Sequence, residues 1–147
     1  MFPRTLTLFV LAMFVFISSC EKDKCDDPQP GTLSKTEQLS LHTWIYDEYY
    51  TNWGTPSQSL AYKRGRAVNA INYAPNRVKF FRDGTFEETM NTGVFRSGVW
   101  QFQSNETVLA TGSTSFSNTV NLIKLSADSL IWHDVINNSY AIQISKK

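Results

Sequence analysis

From Trp44 onward, hydrophobic and polar side chains alternate in short runs broken by turn residues, the period of strands that show one face to a core and one to water. Residues 77–81 and 85–90 flank Arg82-Asp83-Gly84, where Asp-Gly supplies the positive φ that a tight hairpin needs. Residues 94–103 follow as a strand with Gly98, Trp100 and Phe102 on one face and Val99, Gln101 and Gln103 on the other. Ser104-Asn105 turns the chain into 106–110, and a softer loop, 111–115, leads to 119–125. Ser126-Ala127-Asp128 then reverses into 129–136, and Asn137-Asn138 makes the last turn before 139–144. Connections this short cannot join parallel strands, so consecutive runs pair antiparallel as a meander. With the strand that opens at Trp44 the count is seven or eight, and an up-and-down sheet of that size hides its edges best by closing. The predicted fold class is all-β, an antiparallel up-and-down β-barrel.

Two segments read less regularly. Residues 60–68 fit either a strand followed by a basic turn or a short helix capping one end of the barrel, and Pro75 restarts an extended chain. Residues 34–41, with Leu33, Leu39 and Leu41 set among polar residues, predict a short helix before the first strand.

The N-terminus follows another pattern. An apolar run over 6–20 comes after Arg4, with the length of a signal-peptide core and too short to span a bilayer comfortably as a helix. Its end, Ile17-Ser18-Ser19-Cys20, resembles the lipobox of bacterial lipoproteins. That resemblance implies removal of residues 1–19 and a diacylglycerol, with acyl chains of the palmitate kind, on the Cys20 sulfur. It further implies a chain held to a membrane of the cell envelope through Cys20. A thioether at Cys20 leaves Cys25 without a partner, so no intrachain disulfide is expected. Residues 20–33 are charged, then turn-rich, and predict a solvated tether. The acidic residues after Cys20 are similar to the signals with which some Gram-negative bacteria send lipoproteins to the outer membrane, periplasmic or surface-exposed. The domain organisation is therefore a signal peptide at 1–19, a tether at 20–33 and one barrel domain at 34–147.

The chain carries 14 Lys plus Arg and 13 Asp plus Glu; removing Arg4 leaves 13 against 13. A neutral domain offers no field for nucleic acid, and none is expected as a partner. About 110 residues make one core and not two. All four tryptophans and all six tyrosines lie in it, so large rings supply burial that disulfides do not.

Several stretches, taken in order, resemble the lipocalin-like domains of Gram-negative bacterial lipoproteins: Trp44 in a first strand, residues 78–86 as an F-x-x-D-G-T-F hairpin, Gly98-Val99-Trp100, and the Asp128-Ser129-Leu130 turn before Trp132. The resemblance covers nearly all of the domain and implies a lipocalin-like barrel. Secreted lipocalins carry Gly-x-Trp near the start, whereas here Thr43 precedes Trp44, so ligand binding does not follow from that motif.

Little in the chain looks like chemistry. His42 and His133 lie far apart with no ligand-spaced partner, and His133 and Asp134, adjacent on a strand, face opposite sides. Asp47-Glu48 and Glu87-Glu88 divide between faces in the same way; an inward Glu could anchor a cationic group, while the wet face of the sheet is the preferred reading. The glycines are isolated, so no phosphate loop is present. No catalytic residue, cofactor or metal is expected. Lys63-Arg64-Gly65-Arg66 beside Tyr62, with Arg77 and Lys79, is the one basic cluster, suited to an anion or simply to solvent. Asp128-Ser129-Leu130 also resembles a bacterial O-glycosylation site, which a hairpin turn explains more simply.

The leading expectation is thus a noncatalytic, membrane-anchored barrel that binds a small apolar or amphiphilic ligand lined by Trp44, Phe80, Phe86, Trp100, Phe102 and Trp132. The alternative is an interaction or inhibitor module that meets another envelope protein through its outer surface, with Tyr49, Tyr50, Trp53, Arg64 and Arg66 as contact residues. Interior volume separates the two: a hollow of a few hundred Å³ favours the ligand, and a filled barrel favours the partner.

Overall fold

Ser34 opens the folded chain in the computed structural model, which describes residues 32–146; the apolar run, Cys20, Cys25 and the charged stretch to Gly31 lie outside the described residues. The Ser34 hydroxyl accepts the Glu37 amide at 3.2 Å while the Glu37 carboxylate accepts the Ser34 amide at 3.0 Å, a reciprocal cap that starts helix α1, Lys35–Leu41. His42, in extended conformation, ends it.

Nine strands follow: β1 Thr43–Thr51, β2 Ser59–Lys63, β3 Arg77–Phe80, β4 Thr85–Thr89, β5 Phe95–Gln103, β6 Val108–Gly112, β7 Ser117–Leu125, β8 Ser129–Asp134 and β9 Ser139–Lys146. Every neighbour pairs antiparallel, and β9 returns to β1 along its whole length, Thr43 against Lys146 through Thr51 against Ser139. Eight strands therefore close a barrel and β2 is extra. It exists because β3 takes only Thr43 and Trp44 of the other edge of β1; β2 covers the same edge from Glu48 to Thr51. Of the two readings of residues 60–68, the strand and turn is the one found.

The turns explain the boundaries. Gly84 sits at φ +85°, and the Asp83 carboxylate accepts both the amide and the hydroxyl of Thr85, fixing the β3–β4 hairpin. Ser104, Asn105 and Glu106 all adopt positive φ, so the turn runs longer than two residues and β6 starts at Val108. β8 stops at Asp134, short of the expected 136, because its carboxylate accepts the backbone and side-chain nitrogens of Asn137.

Leu39, Trp44, Phe80, Phe86, Trp100, Leu109, Val120 and Leu130 form the core, with Leu39 and Trp44 wholly buried. The Trp44 indole donates to the Leu39 carbonyl at 2.8 Å and the Lys79 ammonium to the Ser40 carbonyl at 2.8 Å, so α1 plugs one end of the barrel. Gly98 lies beneath the Phe86 ring, where a side chain would overlap the carbonyl oxygen of Gly112. Trp44→Ala is expected to cost about 3–5 kcal/mol and Gly98→Ala about 1–3 kcal/mol through overpacking, both read as shifts in the urea unfolding midpoint with little change in slope.

Candidate functional site

In an up-and-down barrel the connectors alternate between the two ends. The β3–β4, β5–β6 and β7–β8 turns share the end plugged by α1. The connectors 52–58, 64–76, 90–94, 113–116 and 135–138 gather at the other end, the mouth.

In the strands β3 to β7 the position one residue inside the mouth end belongs to Val78, Glu88, Arg96, Thr111 and Asn118. Four of these, all but Arg96, line a cavity of about 80 Å³, together with the rings of Tyr46, Phe80, Phe86 and Trp132 and the amide of Gln143. This volume is far below the roughly 300–1,000 Å³ of ordinary small-molecule sites. The reason lies in the other expected lining residues. Trp44, Trp100 and Phe102 do not face the cavity but fill the barrel on the side of α1, with Trp100 edge-on to Phe80 at 5.8 Å and to Phe102 at 5.3 Å.

Glu87 is exposed and Glu88 turns inward, following Phe86 on the lumen face. The wet-face expectation thus fails for Glu88, because the alternation that buries Phe86 also buries every second residue after it. Register sets Arg96 opposite Glu88, yet the Arg96 guanidinium carbon stands 5.2 Å above the centre of the Phe116 ring. Desolvation pushes the Glu88 carboxyl above its ordinary value, and the Arg96 charge works against that shift. Burial, then the charge of Glu88, pushes the Tyr46 phenol well up.

A bulge between Tyr46 and Glu48 decides the aromatic pattern of β1. It turns Tyr49 to the same side as Tyr46 and away from Tyr50, leaving it half-buried. Its ring packs against Tyr73 at 4.7 Å and Trp132 at 6.3 Å. Tyr73, carried in by connector 64–76, stacks on Tyr46 at 4.7 Å and roofs the group. Tyr50 and Trp53 lie together outside, Trp53 stacked on Tyr140 at 3.9 Å and edge-on to Tyr50 at 5.1 Å. The Glu48 carboxylate accepts the Tyr50 hydroxyl at 2.6 Å, which pushes that phenol up to about 12, and also pairs with Lys63 at 2.9 Å. Arg64 pairs with Asp47 at 2.9 Å, while Arg66 is exposed and, among the described residues, in no ion pair.

His42 ends α1 and His133 stands on β8 opposite Tyr140, so sequence distance is also distance in topology. Asp134 is occupied by Asn137. Among the described residues no three His, Cys, Asp or Glu side chains gather as metal ligands.

Glu88 makes stability depend on pH in a definite sense. Its folded-state value is raised, so between the ordinary value of 4.5 and the raised one the folded chain holds more protons, and stability falls as pH rises through that window. Glu88→Gln is expected to be the more stable protein at neutral pH, the difference closing toward about pH 4. Thermal unfolding of both proteins from about pH 4 to about pH 8 checks it; a constant gap across that range would refute the assignment.

No protein-family model matches the chain, and no curated protein does. Among solved structures it is similar to a DUF4847 family protein from Bacteroides vulgatus, at 18% identity and TM-score 0.53, over 78% of this chain and 98% of that one. It is also similar to a lipocalin-like protein from Bacteroides uniformis, at 13% identity and TM-score 0.48, over 74% of this chain and 99% of that one. At such identities the likeness speaks to the fold alone. Strand order and closure show the fold of the described residues directly: eight antiparallel strands closed into an up-and-down barrel.

Proposed function

We propose that this protein is a noncatalytic, lipid-anchored module of the cell envelope that binds another protein with the mouth end of its barrel. The carrying observation is the pairing of a filled interior, about 80 Å³ of free volume, with apolar side chains held out on the mouth connectors. Val68, Val94, Phe95, Val135 and Ile136 are 51–85% exposed, and all belong to those connectors or the strand residue beside them. Side chains of this kind gathered at one end favour a contact surface over solvent. The exposed Arg66 and the Tyr50–Trp53–Tyr140 stack border the same end and add the residue types that interfaces favour.

The chain enters the barrel through α1, at the plugged end, so the mouth lies at the end opposite that entry. The fitting partner presents apolar side chains and a carboxylate for Arg66. A bulky apolar ligand has no room in this interior.

A photoreactive phenylalanine placed at position 136 or 95 of the full chain in its native host tests this. One discrete protein adduct is expected from both positions and not from Ile123, on the barrel wall, or Leu41, at the plugged end. In a chain that also carries Val135→Asp and Ile136→Asp, the adduct from position 95 should drop at least tenfold while the melting temperature stays unchanged. Adducts to lipid alone, or equal adducts from position 123, would refute the reading.

A further inference from the structure

Glu88 stands in the wall of the mouth cavity with no ion pair at contact distance, although Arg96 lies across from it in register. Its pairing partners are Val78 on one side and Arg96 on the other. Arg96 is spent on the Phe116 ring, and among the described residues no ion pair reaches Glu88. A carboxylate turned into a barrel between apolar side chains is costly unless an opposite charge shares the space.

The rest of the cavity matches such a charge. Tyr46 and Trp132 line it and meet edge to face, 6.3 Å between centres, and aromatic rings of this kind attract cations. Thr111, Asn118 and Gln143 add neutral oxygens that accept from N–H donors. A metal ion would find one carboxylate and few other hard ligands, a thin set for Mg²⁺ or Ca²⁺. An anion would meet Glu88. The volume, about 80 Å³, suits a small head group such as –NH₃⁺ on a short stem and lies well below what an acyl chain or a drug-sized ligand occupies. Glu88, Thr111 and Asn118 each lie one residue inside a strand end at the mouth, so the head group enters from there.

We propose that the cavity is a binding site for a primary ammonium group, with Glu88 as its counter-ion and the Tyr46 and Trp132 rings as its cation–π walls. The group arrives either on a short free alkylamine or on a lysine side chain of a polypeptide; the chemistry recognised is the same. The site does not depend on the apolar rim, and either can fail without the other.

The test is an NMR titration of the isotope-labelled full chain in nonionic detergent, following the Trp132 indole N–H. Ethylammonium chloride and Nα-acetyl-lysine amide are the two probes, and ethanol is the neutral comparator. At least one probe should shift the resonance saturably, with a dissociation constant near about 1 mM for so small a ligand. Glu88→Gln should weaken it at least tenfold, and ethanol should give no saturable shift. Saturation by ethylammonium supports a free amine, and saturation by the lysine amide alone supports a polypeptide source. If Glu88→Gln fails to fold, Glu88→Asp, which withdraws the carboxylate by one carbon, should weaken binding several-fold. Silence from both probes, equal response to ethanol, or binding unchanged in the Glu88 variants would overturn the proposal.

Discussion

The pairing of β1 with β9 along the full length of both strands is the constraint on which the other features rest. It closes the barrel, and it commits one edge of β1 completely. The opposite edge is then divided, because β3 reaches only Thr43 and Trp44 and β2 takes Glu48 to Thr51. A chain that leaves β2 at Lys63 has to travel to Arg77 before the meander can resume. That journey is connector 64–76, and it brings Tyr73 onto Tyr46 at the mouth. The aromatic roof is therefore a product of how the backbone hydrogen bonds of one strand are shared.

Eight strands leave room for packed side chains or for one small ligand. Here residue size settles the matter. Trp44, Trp100, Phe80 and Phe86 interlock above the α1 plug, and Gly98 surrenders its side chain so that the Phe86 ring and the Gly112 backbone can both be accommodated. Only the last layer, where Glu88, Thr111 and Asn118 replace rings, stays open. Polar residues at that level keep the layer from collapsing into the core, since each needs a hydrogen-bonding partner that apolar neighbours do not provide.

Much of this was legible in the sequence. The Asp83-Gly84 turn and the face shared by Gly98, Trp100 and Phe102 follow from local rules that tertiary contacts did not overrule. The inward positions of Glu88 and Arg96 were also there to be read, since they sit at period two from Phe86 and Gly98; charge obscured the alternation. Tyr49 was different. A bulge in β1 is set by register against β9, about ninety residues away in the chain, and no local pattern announces which of Tyr49 and Tyr50 it turns inward. The same holds for Tyr73, whose place depends on the route between two strands. The filled interior depended on how rings from five strands share one volume with Leu39 of the helix, which composition suggests but does not determine.

The attachment of α1 has a mechanical consequence. Tension applied through the N-terminal segment meets the Trp44 indole on Leu39, the Lys79 ammonium on Ser40 and the Lys35 ammonium on the Glu106 carbonyl before it reaches any strand-to-strand bond. The helix thus serves as a strain relief: a pull would be spread over three separate strands or turns of the wall, and the ladder between β1 and β9 would feel it last. The mouth connectors, at the far end, lie away from that load, so the open end of the barrel keeps its shape while the plugged end bears the pull.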